Sequence, residues 1–138
     1  MPAKTKHKII IDTNLWISFL LTNDYSKIDA LVSNKTLVLL FSQELIDEFV
    51  EVAQRPKFRK FFSLNDLENL LLKVRANAKF VSVTSTIDIC RDPKDNFLLA
   101  LAKDGKATHL LTGDNDLLVL EKIGATRIIT ITKYLSKK

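Results

Sequence analysis

Short apolar runs alternate with stretches of helical periodicity in this chain, and this alternation constrains the fold more than any other feature. Runs such as residues 7–12 (HKIIID) are apolar enough to be strands buried on both faces. Strands are expected at residues 7–12, 37–42, 80–83, 108–112 and 126–131. Because strands that alternate with helices form parallel sheets with a helical layer on each face, the sequence predicts an α/β three-layer sandwich around a mostly parallel five-stranded sheet.

The segments between these runs carry the spacing and end signals of helices. Helices are expected at residues 13–21, 28–32, 43–54, 93–103 and 117–122, with a further one opening at the capping pair Ser63 and Asp66. The chain has only three glycines, all near predicted boundaries, and no flexible linker. Residues 1–138 are therefore expected to form a single domain.

Composition narrows the setting. The 46% apolar and 27% charged residues are typical of a globular core, no apolar run is long enough to span a membrane, and the N-terminus lacks the apolar core of a signal peptide. We therefore expect a cytoplasmic protein with no membrane contact. The single cysteine, Cys90, has no partner for an internal disulfide and is expected to be a buried apolar side chain.

The net charge is +5, from 21 Lys and Arg against 16 Asp and Glu. Basic residues gather in two places, Arg55, Lys57, Arg59 and Lys60, and then Lys133, Lys137 and Lys138. Such clusters suit a phosphate backbone, although a modestly basic surface also serves solubility.

Four acidic residues lie far apart in the chain, and each falls in or just before a predicted helix: Asp12, Glu48, Asp95 and Asp114. In an open α/β sheet, ligands bind at the C-terminal ends of the strands, so acids at several strand ends can converge there. Clustered carboxylates repel one another unless a hard divalent cation neutralises them. The pattern therefore predicts a site for Mg²⁺ or Mn²⁺.

Helix capping is the competing explanation for the aspartates. Asp12 stands where an N-cap would, residues 92–95 resemble a helix start, and Asp114 with Asp116 opens another helix. Glu48 is different, because it lies close to the apolar face of its helix, where an unpaired carboxylate is costly. A salt bridge or a solvated helix edge is the alternative for Glu48, and Glu44 is the alternative choice for the fourth acid.

Four segments resemble successive motifs of PIN-domain ribonucleases, and they are most similar to the toxin branch of prokaryotic toxin-antitoxin systems. The segments are IIIDTNLWISFLL (9–21), FSQELIDEFVEVAQRPKF (41–58), RDPKDNFLLALA (91–102) and HLLTGDNDLLVL (109–120). The resemblance covers nearly the whole chain. It implies a PIN-like fold that binds Mg²⁺ or Mn²⁺ and cleaves single-stranded RNA, a small antitoxin protein as partner, and a homodimer.

Carried over by position, the resemblance makes the four acids the catalytic and metal-binding quartet. Further family positions are matched by Asp116, as an additional metal ligand, and by the accessory residues Asp92, Asn14 and Thr112. The basic residues Arg55, Lys57, Arg59 and Lys60 are the expected contacts to nucleic acid.

Two other functions compete with this one. A haloacid-dehalogenase-like phosphatase also has an Asp after its first strand, but it needs a second Asp two residues later, where this chain has Asn14. A non-catalytic RNA-binding or protein-binding module would use the acids only as caps.

The first two predicted helices carry more apolar residues than one core-facing stripe needs. They are Trp16, Phe19, Leu20, Leu21, Ile28, Leu31 and Val32. Some of them are therefore expected at a subunit interface or under an antitoxin, unless all belong to the core.

Overall fold

The computed structural model describes residues 7–22, 24–33, 37–90 and 92–136 of the chain. Its strands are β1 (His7–Ile11), β2 (Leu37–Phe41), β3 (Ala78–Phe80), β4 (His109–Leu111), β5 (Lys122–Ile123) and β6 (Thr126–Ile129). Within these ranges they form a six-stranded sheet in the order β3-β2-β1-β4-β6-β5, parallel except for the β5 and β6 pair. The predicted mostly parallel sheet is confirmed, with six strands in place of five.

Helices flank the sheet. They are α1 (Thr13–Thr22), α2 (Ser26–Val32), α3 (Gln43–Ala53), α4 (Pro56–Arg59), α5 (Leu64–Val74), α6 (Asn96–Gly105), α7 (Asn115–Leu118) and α8 (Ile131–Ser136), with 3-10 turns at Arg75–Asn77 and Pro93–Asp95. Ser63 and Asp66 form the predicted reciprocal capping box of α5. Among the described residues, no helix is both long and apolar enough to cross a bilayer.

The central strand β1 explains why the apolar runs are continuous. Ile9, Ile10 and Ile11 are all essentially inaccessible to solvent, because β2 and β4 pair with both edges of β1 and helices cover its faces. Ile11 is in register with Leu111 of β4. The residues that follow β1 and β4 therefore lie side by side at one rim of the sheet.

Several predicted boundaries were wrong. The strand expected at 80–83 ends at Phe80, because β2 ends at Phe41 and offers no further backbone to pair with after Val81 N–H donates to the Phe41 carbonyl (2.8 Å). The helix expected at 117–122 begins at Asn115 and ends at Leu118, and the next residues turn through Glu121 (φ 63°) into β5. The helix expected at 93–103 begins as a 3-10 turn.

The C-terminal strand was also predicted too long. It ends at Ile129, and residues from Ile131 form α8, which the β-branched sequence did not indicate. Buried Ile131 and Tyr134 hold α8 in place. The Tyr134 hydroxyl lies 2.6 Å from His7 Nδ1, and the rings of His7, His109 and Tyr134 pack together at the start of β1 and β4. Both histidines therefore lie at the opposite end of the strands from the acids.

The apolar residues of α1 and α2 belong mostly to the core, which corrects the expectation of a surplus for an interface. The buried members are Trp16, Phe19, Leu20, Ile28 and Leu31. The Trp16 ring packs against Phe41 of β2 and Phe49 of α3, so α1 is wedged between the sheet and α3. Of the set, Leu21 alone is exposed, at 37%, and Val32 is half-buried. Cys90 is buried as predicted.

Candidate functional site

Two neighbouring strand ends place the first pair of acids. Asp12 directly follows β1, and Thr112 directly follows β4. The Thr112 hydroxyl donates a hydrogen bond to Asp12 Oδ2, and the same Thr112 oxygen accepts the backbone N–H of Asp114 (3.0 Å). One threonine side chain therefore ties the end of β1 to the acidic turn after β4. Asp12 is 4% exposed, so this carboxylate lies almost entirely inside the protein.

The same aspartates also cap helices, so capping and clustering are compatible. Asp12 Oδ1 accepts the backbone N–H of Leu15 (2.8 Å) in the first turn of α1. Asp114 Oδ1 accepts the N–H of Asp116 (2.9 Å) at the start of α7. Each cap occupies one carboxylate oxygen and fixes the orientation of the group. The capping bonds thereby hold the side chains of Asp12 and Asp114 at the rim of the sheet.

Asp95 completes the group from the other side of the rim. It ends the 3-10 turn that leads into α6, while Asp92 Oδ1 caps that turn through the Lys94 N–H (3.1 Å). Asp95 Oδ2 is buried and, among the described residues, has no hydrogen-bond partner. Burial, contact with Asp114 and the negative charges around it raise the pKa of Asp95 to about 7. This carboxyl group therefore holds its proton close to neutral pH.

Glu48 reaches the cluster from the middle of α3. The Thr13 hydroxyl, at the first position of α1, donates to Glu48 Oε2, and packing of α1 against α3 brings the two side chains together. Glu48 is half-buried and lines the cleft, whereas Glu44 is exposed and does not. Glu48, and not Glu44, therefore lies in the cleft with the other three acids.

The four acids line one cleft of about 170 Å³. Its other walls are Thr13, Asn14, Val52, Arg55, Asp92, Lys94 and Leu98. Desolvation is the largest cause that raises the pKa of Asp12, and the nearby charges of Asp114 and Glu48 add to it. The cleft is therefore short of positive charge, in spite of Arg55 and Lys94 on its walls.

The donor chemistry of the cleft fits a hard divalent cation. The acids offer only oxygen atoms, which is the ligand type that Mg²⁺ and Mn²⁺ prefer. The buried Asp95 Oδ2 is a donor without a partner in the described structure. In residues 7–136 as far as they are described, no three His, Cys, Asp or Glu side chains already stand as a finished metal site. A bound cation would thus require the acids to draw closer, and loss of the Asp95 proton would accompany this.

The remaining predicted residues divide into two groups. Asn14, Asp92 and Thr112 lie at the cleft or bond its acids. Asp116 does not line the cleft; it contributes a backbone N–H to Asp114. Sequence reasoning missed Thr13 and Lys94. The only signal for Thr13 was a hydroxyl directly after Asp12, and its use depends on the packing of α3, which the sequence does not show.

The basic segment, defined as Arg55, Lys57, Arg59 and Lys60, is exposed along α4 and its flanks. Arg55 reaches the cleft wall, with its Nη2 3.3 Å from Glu51 Oε1. In the second predicted cluster, Lys133 is exposed on α8, while Lys137 and Lys138 lie outside the described residues, as does Arg91. Among the described members of the two clusters, Arg55 is the one that lines the cleft with the acids.

Comparisons with known proteins agree with the fold. The model of the PIN domain family matches residues 8–116, a range that includes all four acids. An uncharacterised protein of Methanocaldococcus jannaschii is 33% identical over 123 residues, which cover 85% of this chain and 77% of that protein. The crystal structure of VapC20, a sarcin-ricin loop cleaving toxin of Mycobacterium tuberculosis, matches 86% of this chain and 98% of its own with a TM-score of 0.57 at 14% identity.

Proposed function

We propose, because this chain belongs to the PIN domain family, that it is a divalent-metal-dependent endoribonuclease that cuts single-stranded RNA. The observation that carries the proposal is the convergence of Asp12, Glu48, Asp95 and Asp114 on one cleft beside the basic segment. Carboxylates that repel one another are the expected ligands of Mg²⁺ or Mn²⁺, and the adjacent basic surface suits a phosphate backbone.

The residues of the cleft would divide the work. A divalent cation, when bound, neutralises the phosphodiester and lowers the pKa of a coordinated water. Asp12 and Asp114, locked by Thr112 and by their capping bonds, would hold it, and Asp95 would add its buried free oxygen. Glu48, fixed by the hydroxyl of Thr13, would orient the attacking water.

Positive side chains on the cleft wall would position the substrate. Arg55 and Lys94 line the same cleft as the acids, so a phosphate that enters meets both signs of charge. The positive charges of Arg55 and Lys94 offset the repulsion between the RNA backbone and the acids. The remaining basic segment extends this attraction away from the cleft.

We further infer that the protein is the toxin of a toxin-antitoxin pair and that a small antitoxin protein restrains it. The fold similarity to a toxin that cleaves RNA supports this role. A homodimer is part of the proposal because the family resemblance implies one, although most of the α1 and α2 apolar residues lie in the core.

The geometry disfavours the competing functions. A haloacid-dehalogenase-like phosphatase needs a second Asp two residues after Asp12 as its acid and base, and the residue of the cleft at that position is Asn14. A non-catalytic module gives no reason for the buried, unpartnered oxygen of Asp95.

The decisive experiment measures Mn²⁺-dependent cleavage of a single-stranded RNA by the wild type and by Asp114→Asn, Glu48→Gln and Glu44→Gln. We expect Asp114→Asn and Glu48→Gln to lose cleavage, since each removes one charge from the cleft. Glu44→Gln, an exposed neighbour one turn away, is the matched control and should cleave normally.

Thermal unfolding with and without Mn²⁺ separates the alternatives. Mn²⁺ at a free concentration [L] should raise the free energy of unfolding of a nuclease with this cleft by RT ln(1 + [L]/Kd), and Asp114→Asn should lose most of that gain. Two results would contradict the proposal. One is cleavage by Asp114→Asn at the wild-type rate, and the other is a wild-type protein that cleaves no RNA and whose Tm does not change with Mn²⁺.

A further inference from the structure

A second cavity, of about 520 Å³, lies behind the wall of the acidic cleft. The C-terminal end of α3 separates the two. Val52 and Arg55 line the acidic cleft, whereas Ala53 and Gln54, the residues between them in sequence, line the second cavity. One turn of backbone therefore has a face toward each cavity. Because Gln54 and Arg55 are neighbours in the chain, the walls of the two cavities meet at the end of α3.

The walls of this second cavity combine apolar surfaces with polar edges. Phe62, Leu67 and Ala53 supply the apolar part, and Gln54, Arg59 and Ser63 supply the polar part. An unpaired nucleobase needs this combination, because its faces pack on aromatic or apolar groups while its edge forms hydrogen bonds. The cavity volume lies within the range of small-ligand sites.

The polar groups of the cavity are available for a ligand. Among the described residues, the side chains of Gln54 and Arg59 form no hydrogen bond or ion pair, in contrast to Arg55, which pairs with Glu51. The Gln54 amide offers a donor and an acceptor, which is the pattern that pairs with a base edge, and Arg59 offers charge for a base or its phosphate. Ser63 uses its oxygen as an acceptor for Asp66 N–H (3.1 Å) and keeps its hydroxyl hydrogen.

We propose that this cavity is a base-binding subsite that holds one unpaired nucleobase of the RNA strand bound across the acidic cleft, with Gln54 at the base edge and Phe62 at its face. The inference rests on the proposed ribonuclease function and adds to it a position-specific contact with the substrate. The basic segment lies on α4 and its flanks, and Pro56 starts this helix, whose Phe58 packs against the core. The helix carries Arg59 from the flank of the cleft to the wall of the second cavity.

The test begins with a mapped cleavage site. The wild type with Mn²⁺ is used to locate a cut in single-stranded RNA, and a short RNA centred on that site is prepared with one abasic nucleotide placed in turn at each position. Affinities are measured by fluorescence anisotropy with the Asp114→Asn variant, which is expected to bind RNA without cutting it. We expect one position near the cut where loss of the base weakens binding about tenfold, since stacking and edge contacts are lost together.

Variants connect that position to the cavity. Gln54→Ala and Phe62→Leu, each combined with Asp114→Asn, should weaken binding of the intact RNA and abolish the penalty at that one position. Arg59→Ala, in the same background, should also reduce the penalty at that position. Its matched control is Arg127→Ala, because Arg127 is exposed on β6 in register with His109, at the strand end away from the acids. It should leave the abasic profile unchanged.

The outcomes are distinguishable. If the wild type cuts no single-stranded RNA, the proposed function fails first, and the subsite fails with it. If the wild type cuts RNA, the subsite alone is overturned by either of two results. No abasic position weakens binding, or the position that does so keeps its full penalty in Gln54→Ala and Phe62→Leu. The cavity would then be a candidate site for a protein partner. Circular dichroism of each variant confirms that a changed profile does not reflect loss of the fold.

Discussion

Replacement of Asp95 by Asn should stabilise the protein without metal while it abolishes the proposed activity. Asn has nearly the same shape but carries no charge. The wild-type carboxyl group is buried beside Asp114 and must lose a proton to become charged. The Asn variant removes the free-energy cost of this ionisation, and its amide can donate a hydrogen bond to Asp114. The change should therefore separate the stability of the fold from the function of the cleft.

The magnitude follows from the pKa of Asp95, which rises from 3.8 to about 7 in the folded protein. A shift of one pKa unit is worth about 1.4 kcal/mol, so the full shift corresponds to about 4 kcal/mol. Because the carboxyl group is partly open to solvent and shares its titration with Asp114, we expect about half of this, about 2 kcal/mol. For a chain of this size that gain raises Tm by about 8 °C.

The sign of the pH dependence is fixed by the direction of the shift. The folded protein binds the Asp95 proton more tightly than the unfolded chain does, so wild-type stability is lost as pH rises from about 4 to about 7. The Asn variant lacks this loss. The two proteins should therefore have similar free energies of unfolding at pH 4 and differ fully at pH 8.

The assay is denaturant or thermal unfolding of both proteins in EDTA at several pH values, repeated at pH 8 with Mn²⁺. Mn²⁺ at about a hundred times its Kd should raise the free energy of unfolding of the wild type by about 2.7 kcal/mol, and that of the Asn variant by less. The order of stability should then reverse. A variant that is no more stable than the wild type at pH 8 in EDTA would refute the reasoning.

Three further perturbations test separate contacts. Thr13→Val should lower the cleavage rate about tenfold by releasing Glu48, and Thr13→Ser should restore it. Asp104→Asn should lower Tm at neutral pH because this carboxylate accepts hydrogen bonds from Ser85. Since those bonds lower the pKa of Asp104, the deficit in Tm should shrink as the pH falls below about 4 and vanish below the lowered pKa. Alanine at all four positions of the basic segment should reduce the salt slope of RNA binding by about 0.7 per lost contact, whereas an unchanged slope would assign the segment to solubility.

The sequence predicted the parallel sheet and the convergence of the acids for one physical reason. Parallel strands that are buried on both faces read as unbroken apolar runs, and their C-terminal ends must share a rim. Asp12 and Asp114 therefore needed only the strand assignments to be placed together. Glu48 could be chosen from its position near an apolar helix face, although the choice over Glu44 needed the packing of α1 on α3.

Features that depend on a partner segment could not be read from the sequence. The segment after Phe80 alternates half-buried and exposed side chains as a strand would, yet it lies past the end of β2 and has no strand to pair with. The helix α8 forms from a β-branched sequence because Ile131 and Tyr134 are buried against the fold. Local preference was outweighed by tertiary contacts in both places.

The acidic cleft shows how one set of residues satisfies two opposing requirements. The hydroxyl of Thr112 and the capping bonds of Asp12 and Asp114 give these two carboxylates hydrogen-bond partners within the fold, which lowers the cost of placing them together. Asp95 is left with a buried oxygen that has no partner in the described structure and with a pKa of about 7. A fold selected only for stability would place a neutral side chain there. An ionised carboxylate at this position costs stability, and the reversal expected on adding Mn²⁺ to the wild type and to Asp95→Asn measures whether a cation offsets that cost.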